Sequence, residues 1–129
     1  MADVPADLKY TKDHEWARVD GRRVTVGITQ HAVDALGDVT LVGVDAKVGA
    51  ALTAGKPFGT VESVKAVSDL FAPVSGALVE VNGALDGHPE RVNESPYGDG
   101  WVVVIEVADA SALGELLDAA GYTAYLGTL

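Results

Sequence analysis

The sequence contains no cysteine, and this absence removes several chemistries at once. Without a thiol, the chain has no cysteine nucleophile, no thiolate metal ligand and no disulfide of its own. Any redox chemistry would therefore have to come from a group attached to the chain. The three histidines, His14, His31 and His88, stand singly, and none has a second histidine or a carboxylate at metal-ligand spacing. The sequence predicts no metal site.

Basic residues are also scarce, with 9 lysines and arginines against 19 acidic residues and a formal net charge of −10. Such a charge repels phosphate backbones and anionic lipids, so neither nucleic acid nor a membrane surface is an expected partner. No apolar run approaches the length that spans a bilayer, and no presequence is visible. These features predict a cytoplasmic protein.

Phosphate-binding glycine loops and serine-nucleophile elbows are missing as well. The glycines fall where turns need them, and catalysis by the polypeptide itself is therefore not expected. A hydrophobic fraction of 48% in 129 residues is enough for one domain with its own core. We expect a single domain over residues 1–129.

The alternation of apolar and polar residues predicts a mainly β chain with frequent turns. Asp20-Gly21 is a hairpin signal that divides residues 14–28 into two strands. Further strands are predicted over 38–44, 71–81 and 101–107. A short helix is predicted over 29–38, with Thr29 as its N-terminal cap and Gly37 just past its end.

The remaining segments carry weaker signals. Residues 1–9 are predicted to be a loose N-terminal segment, and 82–100 to be mostly turns holding one short helix. A C-terminal helical segment is predicted over 109–126, behind an Asp109 cap.

The stretch 61-VESVKAVSDL-70 is symmetric about the Lys65–Ala66 bond, which predicts a tight hairpin centred there. Glu62 would then lie directly opposite Asp69, an unfavourable pairing of like charges. The turn would lack the Gly or Asn that such hairpins prefer. Two interpretations stay open: an accessible lysine on a functional hairpin tip, or a solvated lysine at an ordinary type I turn in a longer loop.

Five segments together carry a resemblance to a known family: 10-YTKDHEW-16, 27-GITQHAVDALGD-38, 59-GTVESVKAVSDLFAPVSG-76, 93-NESPYGDGW-101 and the C-terminal Leu-Leu-Asp-Ala. The sequence resembles the lipoyl-carrying H-proteins of the glycine cleavage system over nearly its whole length. The resemblance implies a barrel-sandwich hybrid of two small antiparallel sheets, with a short helix in the N-terminal half and a C-terminal helix. It also implies that Lys65 carries lipoic acid through an amide bond.

The resemblance further implies a shuttle without catalytic activity. We expect a monomer, because a small shuttle must visit several partners in turn. It would accept an aminomethyl group from a pyridoxal-phosphate-dependent glycine decarboxylase and present it to a tetrahydrofolate-dependent aminomethyltransferase. Dihydrolipoyl dehydrogenase would then reoxidise the carried dithiol. A lipoate ligase or a lipoyl/octanoyltransferase would attach the lipoyl group.

The carboxylates near Lys65 acquire candidate roles from this interpretation. The loaded arm ends in a primary amine, which carboxylates can hold through charge-assisted hydrogen bonds. We hypothesise that Asp69 and Glu15 hold the loaded arm against the body and shield its cargo from water. Glu62 is assigned to recognition by the attaching enzyme. The simpler alternative for each carboxylate is a solvated surface residue.

The sequence departs from the family pattern at two places. Residues 43–49 lack the proline and glutamate that family members usually carry after this strand, which puts the shape of the turn in question. Ala35 stands where some members place a histidine near the arm, so no histidine role is transferred.

Three other interpretations remain. A biotinyl or lipoyl domain of a larger complex is disfavoured because such domains are typically shorter and continue into a linker, whereas this sequence has an additional His-Glu-Trp region and a C-terminal helical segment. For biotin carriers there is a second reason, since they usually show methionine where Val64 and Ala66 flank Lys65. An H-like protein that relays lipoyl groups to other 2-oxoacid dehydrogenases would keep the same lysine. An enzyme in its own right is disfavoured by the missing catalytic constellations.

Overall fold

The computed structural model describes residues 4–108, 113–114 and 116–129. The described strands, β1 to β9 in chain order, span Lys9–Tyr10, Glu15–Asp20, Arg23–Ile28, Val39–Val44, Ala51–Leu52, Pro57–Ser63, Val67–Phe71, Gly76–Val81 and Val103–Glu106. The described helices, α1 to α4, span Gln30–Leu36, Ala84–Gly87, Arg91–Glu94 and Ala119–Leu126. Within these residues, no helix has the length and apolar character needed to cross a membrane.

The described strands form two sheets in which every pairing is antiparallel. One sheet has six strands in the order β1-β2-β3-β9-β8-β5, and the other has three in the order β4-β6-β7. Buried side chains from both sheets, such as Val26, Ile105 and Val61, belong to one hydrophobic core. The predicted fold class is confirmed: the chain is mainly β with two antiparallel sheets and a few helices.

The β2–β3 hairpin forms where the sequence predicts it. Asp20 pairs with Arg23, which leaves Gly21 and Arg22 as the two central residues of the turn. Gly21 has a φ of 62°, the positive value that a type II′ turn assigns to its first central residue. Local turn chemistry therefore sets the register of this hairpin, including the pairing of Glu15 with Ile28 at its open end.

Helix α1 also follows its local signals. The Thr29 side chain accepts a hydrogen bond from the Ala32 N–H, and Gly37 ends the helix with a φ of 77°. Val33 and Leu36, three residues apart and therefore on one face of the helix, are buried against the core. The helix therefore lies against the core beside the two sheets.

The described C-terminal helix, α4, covers Ala119–Leu126 of the predicted helical segment 109–126. Asp118 caps α4 by accepting a hydrogen bond from the Gly121 N–H, whereas the predicted cap, Asp109, lies outside the described residues. Leu117 instead forms a bridge with Tyr10, each N–H donating to the other carbonyl at 2.7 and 2.8 Å. Because both backbone groups of Leu117 are used in this ladder, the helix cannot include it.

Two weaker predictions also need correction. The segment 82–100 holds two single-turn helices, α2 and α3, rather than one. The predicted loose segment 1–9 is wrong at its end, because Leu8 is buried and Lys9 pairs with Ala17 in the first sheet. The apolar Leu8 side chain packs into a second hydrophobic cluster, and its burial holds this part of the chain.

That second cluster forms around Trp16, which is fully buried. Its indole N–H donates to the Pro96 carbonyl at 2.8 Å, so its one polar group is satisfied. Gly27 is its cross-strand partner, and a Cβ there would lie 2.5 Å from the ring. The absence of a side chain at Gly27 thus makes room for Trp16. Tyr122 of α4 completes the cluster by stacking on Tyr10, with ring centroids 4.7 Å apart.

Candidate functional site

The lysine hairpin joins β6 to β7, with a register different from the predicted one. The Ser63 N–H donates to the Ala66 carbonyl at 2.8 Å, so Val64 and Lys65 are the two central residues of the turn. The prediction of a turn centred on the Lys65–Ala66 bond is therefore wrong.

The predicted conflict of charges disappears with this shift. Glu62 pairs with Val67, and Asp69 pairs with Thr60, so the two carboxylates are not cross-strand partners. Mirror symmetry in the sequence was a misleading guide, because identical residue types facing each other do not determine a register.

Ser63 supplies the local reason for the tight turn. Its hydroxyl oxygen accepts hydrogen bonds from the N–H groups of Lys65 at 3.4 Å and Ala66 at 3.1 Å. Neither Val64 nor Lys65 has a positive φ, so the turn needs no glycine or asparagine. The Ser63 side chain, two residues before the lysine, therefore stabilises this turn in the absence of the glycine or asparagine that tight hairpins prefer.

Lys65 stands at the exposed tip of this hairpin. Val64 and Val67 on either side are 70% and 67% exposed, unusual values for valine in a compact domain. The Lys65 side chain lies against Gly37: a Cβ built on Gly37 would be 3.3 Å from Lys65 Cε. The tip is thus open to other molecules and supported on one side by the end of α1.

A cleft of about 320 Å³ opens beside the hairpin, between α1 and β7. Its lining comes from the β1–β2 turn, the two hairpins and α1, and comprises Asp13, His14, Glu15, Ile28, Ala32, Ala35, Leu36, Val61, Ala66, Val67, Ser68, Asp69 and Leu70. β7 is an edge strand, so this cleft follows the edge of the three-stranded sheet. Two of the predicted site residues, Glu15 and Asp69, line it together.

Glu15 is buried in this cleft, with 2% of its surface exposed, so the alternative of a solvated residue is wrong. Its Oε2 accepts a hydrogen bond from the Phe71 N–H at 2.6 Å, and its Oε1 lies 3.5 Å from the Thr11 hydroxyl. Burial raises the pKa of Glu15 to about 8, opposed by the Phe71 hydrogen bond and aided by the negative charge of Asp13. Glu15 therefore holds its proton near neutral pH.

Asp69 and Glu62 occupy different surroundings. Asp69 is exposed at the rim of the cleft, on β7. Glu62 does not line the cleft; it lies between Val67 and Leu41 in a row across the three strands. Since alternate residues of a strand face opposite sides, this row lies on the face opposite the buried Val42 and Val61. Asp69, two residues after Val67 on β7, belongs to the same outward face, so the two carboxylates differ in that only Asp69 lines the cleft.

Two histidines meet at the cleft, which the sequence interpretation missed. The rings of His14 and His31 have centroids 4.4 Å apart, and Nδ1 of His14 lies 2.9 Å from the Tyr122 hydroxyl. That hydroxyl is 2.8 Å from the Thr29 side-chain oxygen, which links α4 to the start of α1. Burial lowers the pKa of His14, and the neighbouring His31 lowers it further, against an opposing effect of Asp13.

The hairpin register contained the signal for this pair. In a hairpin with Gly21 and Arg22 at its centre, His14 must face Thr29, two residues before His31, and the Thr29 N–H does donate to the His14 carbonyl. The pair forms no metal site: among the described residues, no group of three or more His, Cys, Asp or Glu side chains could hold a metal ion.

The two departures from the family pattern can also be located. Ala35 lines the cleft, so its methyl group occupies a position where a longer side chain would narrow it. The 43–49 turn is closed by the backbone without proline: the Asp45 N–H donates to the Phe58 carbonyl at 2.9 Å, and the Gly49 N–H donates to the Leu78 carbonyl at 2.7 Å. Gly49 has a φ of 96°, which a residue with a side chain rarely adopts.

Comparison with known proteins finds related sequences over nearly the whole chain. The family model described as glycine cleavage H-protein matches residues 8–128. The chain is 54% identical over 127 residues to the glycine cleavage system H protein of Myxococcus xanthus (strain DK1622), covering 98% of each. It is 57% identical over 121 residues to that of Beutenbergia cavernae, covering 94% of each.

A solved structure is also similar. The crystal structure of a glycine cleavage system H protein from Mycobacterium marinum matches with a TM-score of 0.88 and 43% sequence identity. The match covers 96% of this chain and 99% of that chain. The likeness therefore extends over nearly the whole fold.

Proposed function

The chain belongs to the glycine cleavage H-protein family, the lipoyl-bearing shuttles of the glycine cleavage system, and we propose that Lys65 is the residue that carries its lipoic acid. The observation that carries the proposal is the placement of Lys65 on the exposed tip of a tight hairpin, beside an apolar cleft. An amine at such a tip is accessible to an acylating enzyme, whereas a lysine inside a flat sheet face is not.

The residues around Lys65 fit a lipoyl group. The cleft begins next to the hairpin, at Ala66 and Val67, and its walls include the apolar side chains of Ile28, Leu36 and Leu70. Apolar walls suit a hydrocarbon chain, because contact removes both surfaces from water. When bound, lipoic acid would supply a disulfide that accepts the aminomethyl group on one sulfur and becomes a thiol at the other, and a dithiol would remain once the group has been passed on.

The proposed partners follow from this shuttle role. A pyridoxal-phosphate-dependent glycine decarboxylase would load the arm, a tetrahydrofolate-dependent aminomethyltransferase would unload it, and dihydrolipoyl dehydrogenase would reoxidise it. The chain itself would act as a carrier and not as a catalyst. Its net charge of −10 favours partners with a basic docking surface.

We assign Glu62 to recognition by the enzyme that attaches the lipoyl group. It lies on the outward face next to Val67 and Leu41, which are 67% and 47% exposed. A carboxylate flanked by apolar side chains offers one charge at a defined place, which a basic residue on an apolar partner surface would match. If Glu62→Gln were lipoylated at the same rate as the wild-type protein, this assignment would be contradicted.

The direct test of Lys65 is to incubate the protein with lipoate, ATP and a lipoate ligase and to measure its intact mass. We expect one lipoyl addition, with fragment masses assigning it to the peptide that contains Lys65. The four other lysines, Lys9, Lys12, Lys47 and Lys56, serve as internal controls in the same digest. Addition spread over these lysines, or none at all, would refute the proposed attachment site.

We further propose that Asp69 and Glu15 hold the aminomethyl cargo in the cleft. Asp69 is exposed at the rim of the cleft and Glu15 is buried within it. An incoming ammonium group would therefore contact one solvent-exposed carboxyl group and one buried carboxyl group. A cation close to Glu15 lowers the pKa of its carboxyl group, so docking and release of the Glu15 proton would occur together. The resulting ion pair would be shielded from solvent.

Isosteric amides test this role without opening the core. Glu15→Gln combined with Asp69→Asn is expected to raise the rate of formaldehyde release from the loaded protein by about tenfold or more, since charge-assisted hydrogen bonds contribute about 1.5–3 kcal/mol. Formaldehyde can be measured by a colorimetric assay. Glu80→Gln, which changes an exposed carboxylate on β8, is the control. Equal release rates in all three proteins would eliminate the docking role.

A further inference from the structure

Asn93 lies on a short helix that is firmly attached to the body of the protein. Its neighbour Val92 is fully buried in the main core. The backbone of Gly100 also comes so close to α3 that a Cβ there would lie 2.7 Å from the carbonyl oxygens of Arg91 and Ser95. Close backbone packing and a buried anchor together hold α3, and therefore Asn93, in one position.

The Asn93 side chain binds the loop between α1 and β4 at two points. Its Nδ2 donates to the Gly37 carbonyl at 2.8 Å, and its Oδ1 accepts from the Val39 N–H at 2.8 Å. These two bonds lie on either side of Asp38. A side-chain amide that uses both its donor and its acceptor in this way leaves the loop little freedom to move.

The same loop holds the tip of the lysine hairpin. The Asp38 carbonyl accepts a hydrogen bond from the Val64 N–H at 3.1 Å, and the Lys65 methylenes lie against Gly37. The contacts thus run without a gap from the core, through Val92 and Asn93, to the loop and then to the residue that precedes Lys65.

We propose that Asn93 is a positioning residue for the lysine hairpin: by holding the Gly37–Val39 loop it fixes the hydrogen bond that orients the tip carrying Lys65. The inference rests on the proposed function of Lys65 as the attachment site. A fixed tip presents one geometry to the acylating enzyme, so less conformational entropy is lost when the complex forms. Without Asn93, the tip would still exist but would sample other orientations.

The chain offers a matched control for this residue. Asn82 is half-buried like Asn93 and also bridges backbone groups, since its Nδ2 donates to the Asp99 and Trp101 carbonyls and its Oδ1 accepts from the Ala84 N–H. None of these partners belongs to the lysine hairpin or its supporting loop. Asn82→Ala therefore removes the same kind of bonds at another place.

The first measurement is the rate of hydrogen exchange at the Val64 amide, which NMR spectroscopy of the whole chain detects. Asn93→Ala is expected to speed exchange at Val64 by about tenfold, the effect of losing roughly one net hydrogen bond that restrains the loop. Asn82→Ala should leave the Val64 rate unchanged. Asn93→Asp, which keeps the acceptor for the Val39 N–H, should give an intermediate rate and replaces Asn93→Ala if that variant does not fold.

The second measurement is acylation of Lys65 by lipoate ligase. We expect kcat/KM to fall about tenfold in Asn93→Ala, because the hairpin tip would have to be ordered when the ligase binds. In Asn82→Ala, kcat/KM should stay at the wild-type value. Three outcomes would each overturn the inference. The Val64 exchange rate could be unchanged in a folded Asn93 variant, it could change equally in Asn82→Ala, or kcat/KM for acylation could be unchanged in the Asn93 variant. If the wild-type protein did not accept lipoate at Lys65, the proposed function would be refuted instead. The exchange rates would still test whether Asn93 restrains the loop.

Discussion

Replacing Lys65 with arginine is expected to abolish both lipoyl addition and glycine cleavage in a system reconstituted with the three partner enzymes. Arginine keeps the positive charge and a similar length, but its guanidinium stays protonated and offers no amine for amide formation. The hairpin should be unaffected, because its turn is closed by Ser63 and by backbone bonds that do not involve the Lys65 side chain. Glycine-dependent reduction of NAD measures the turnover.

Lys56→Arg is the control for this experiment. Lys56 is exposed and immediately precedes β6, so the same exchange of side chains is made close to the base of the same hairpin. We expect full lipoylation and full turnover in this variant. Retained turnover in Lys65→Arg would show that the carrier group is attached elsewhere or that the shuttle role is wrong.

Replacing Glu15 with glutamine is expected to change how stability depends on pH. The pKa of Glu15 rises from about 4.5 to about 8 in the folded protein, with burial as the main cause. As pH rises between these values, the unfolded chain loses this proton while the folded chain keeps it. The folded state then binds more protons than the unfolded state, so this group makes the free energy of unfolding fall with increasing pH.

Glutamine has no proton to lose and nearly the same shape, so its contribution should be independent of pH. The wild-type protein should therefore lose stability relative to Glu15→Gln between about pH 4.5 and pH 8, by a few kcal/mol in total. Urea unfolding curves at several pH values, without lipoate attached, measure the difference. At each pH, the free energy of unfolding of Glu15→Gln is subtracted from that of the wild type. This difference cancels the contributions of titrating groups that the substitution leaves unchanged.

Glu80→Gln provides the comparison for a carboxylate in water. Its stability difference from wild type should stay constant over the same pH range, because Glu80 is exposed. Parallel pH profiles for wild type and Glu15→Gln would show that Glu15 is ionised in the folded protein. The proposed coupling between cargo docking and release of its proton would then fail.

Much of the fold could be predicted because its signals are local. Gly21 sets the β2–β3 turn, Thr29 and Gly37 bound α1, and the β-branched run at 101–107 contains β9. Each depends on the conformational preferences of a few adjacent residues, and those preferences act before any tertiary contact forms. The candidate attachment residue could be named from the sequence for a related reason, since a run of specific residues around Lys65 resembles a family motif.

The register of the lysine hairpin shows where local reasoning stops. Symmetry of residue types suggested a turn at Lys65–Ala66, but the Ser63 hydroxyl closes the chain one residue earlier. In the structure, the tip is also held by Asp38 from another part of the chain. Two alternative registers of a short hairpin differ little in local propensity, so a side-chain hydrogen bond and a distant carbonyl decide between them.

The sequence by itself determined the mainly β fold, the turn at Gly21, the start and end of α1, and Lys65 as the candidate carrier residue. Only the tertiary structure decided that Glu15 is buried with a raised pKa, that His14 meets His31, and that Asn93 binds the Gly37–Val39 loop. It also decided that Leu117 pairs with Tyr10 just before the Asp118 cap of α4. Burial, pKa and pairing between distant segments depend on which surfaces come together, and no short stretch of residues contains that information.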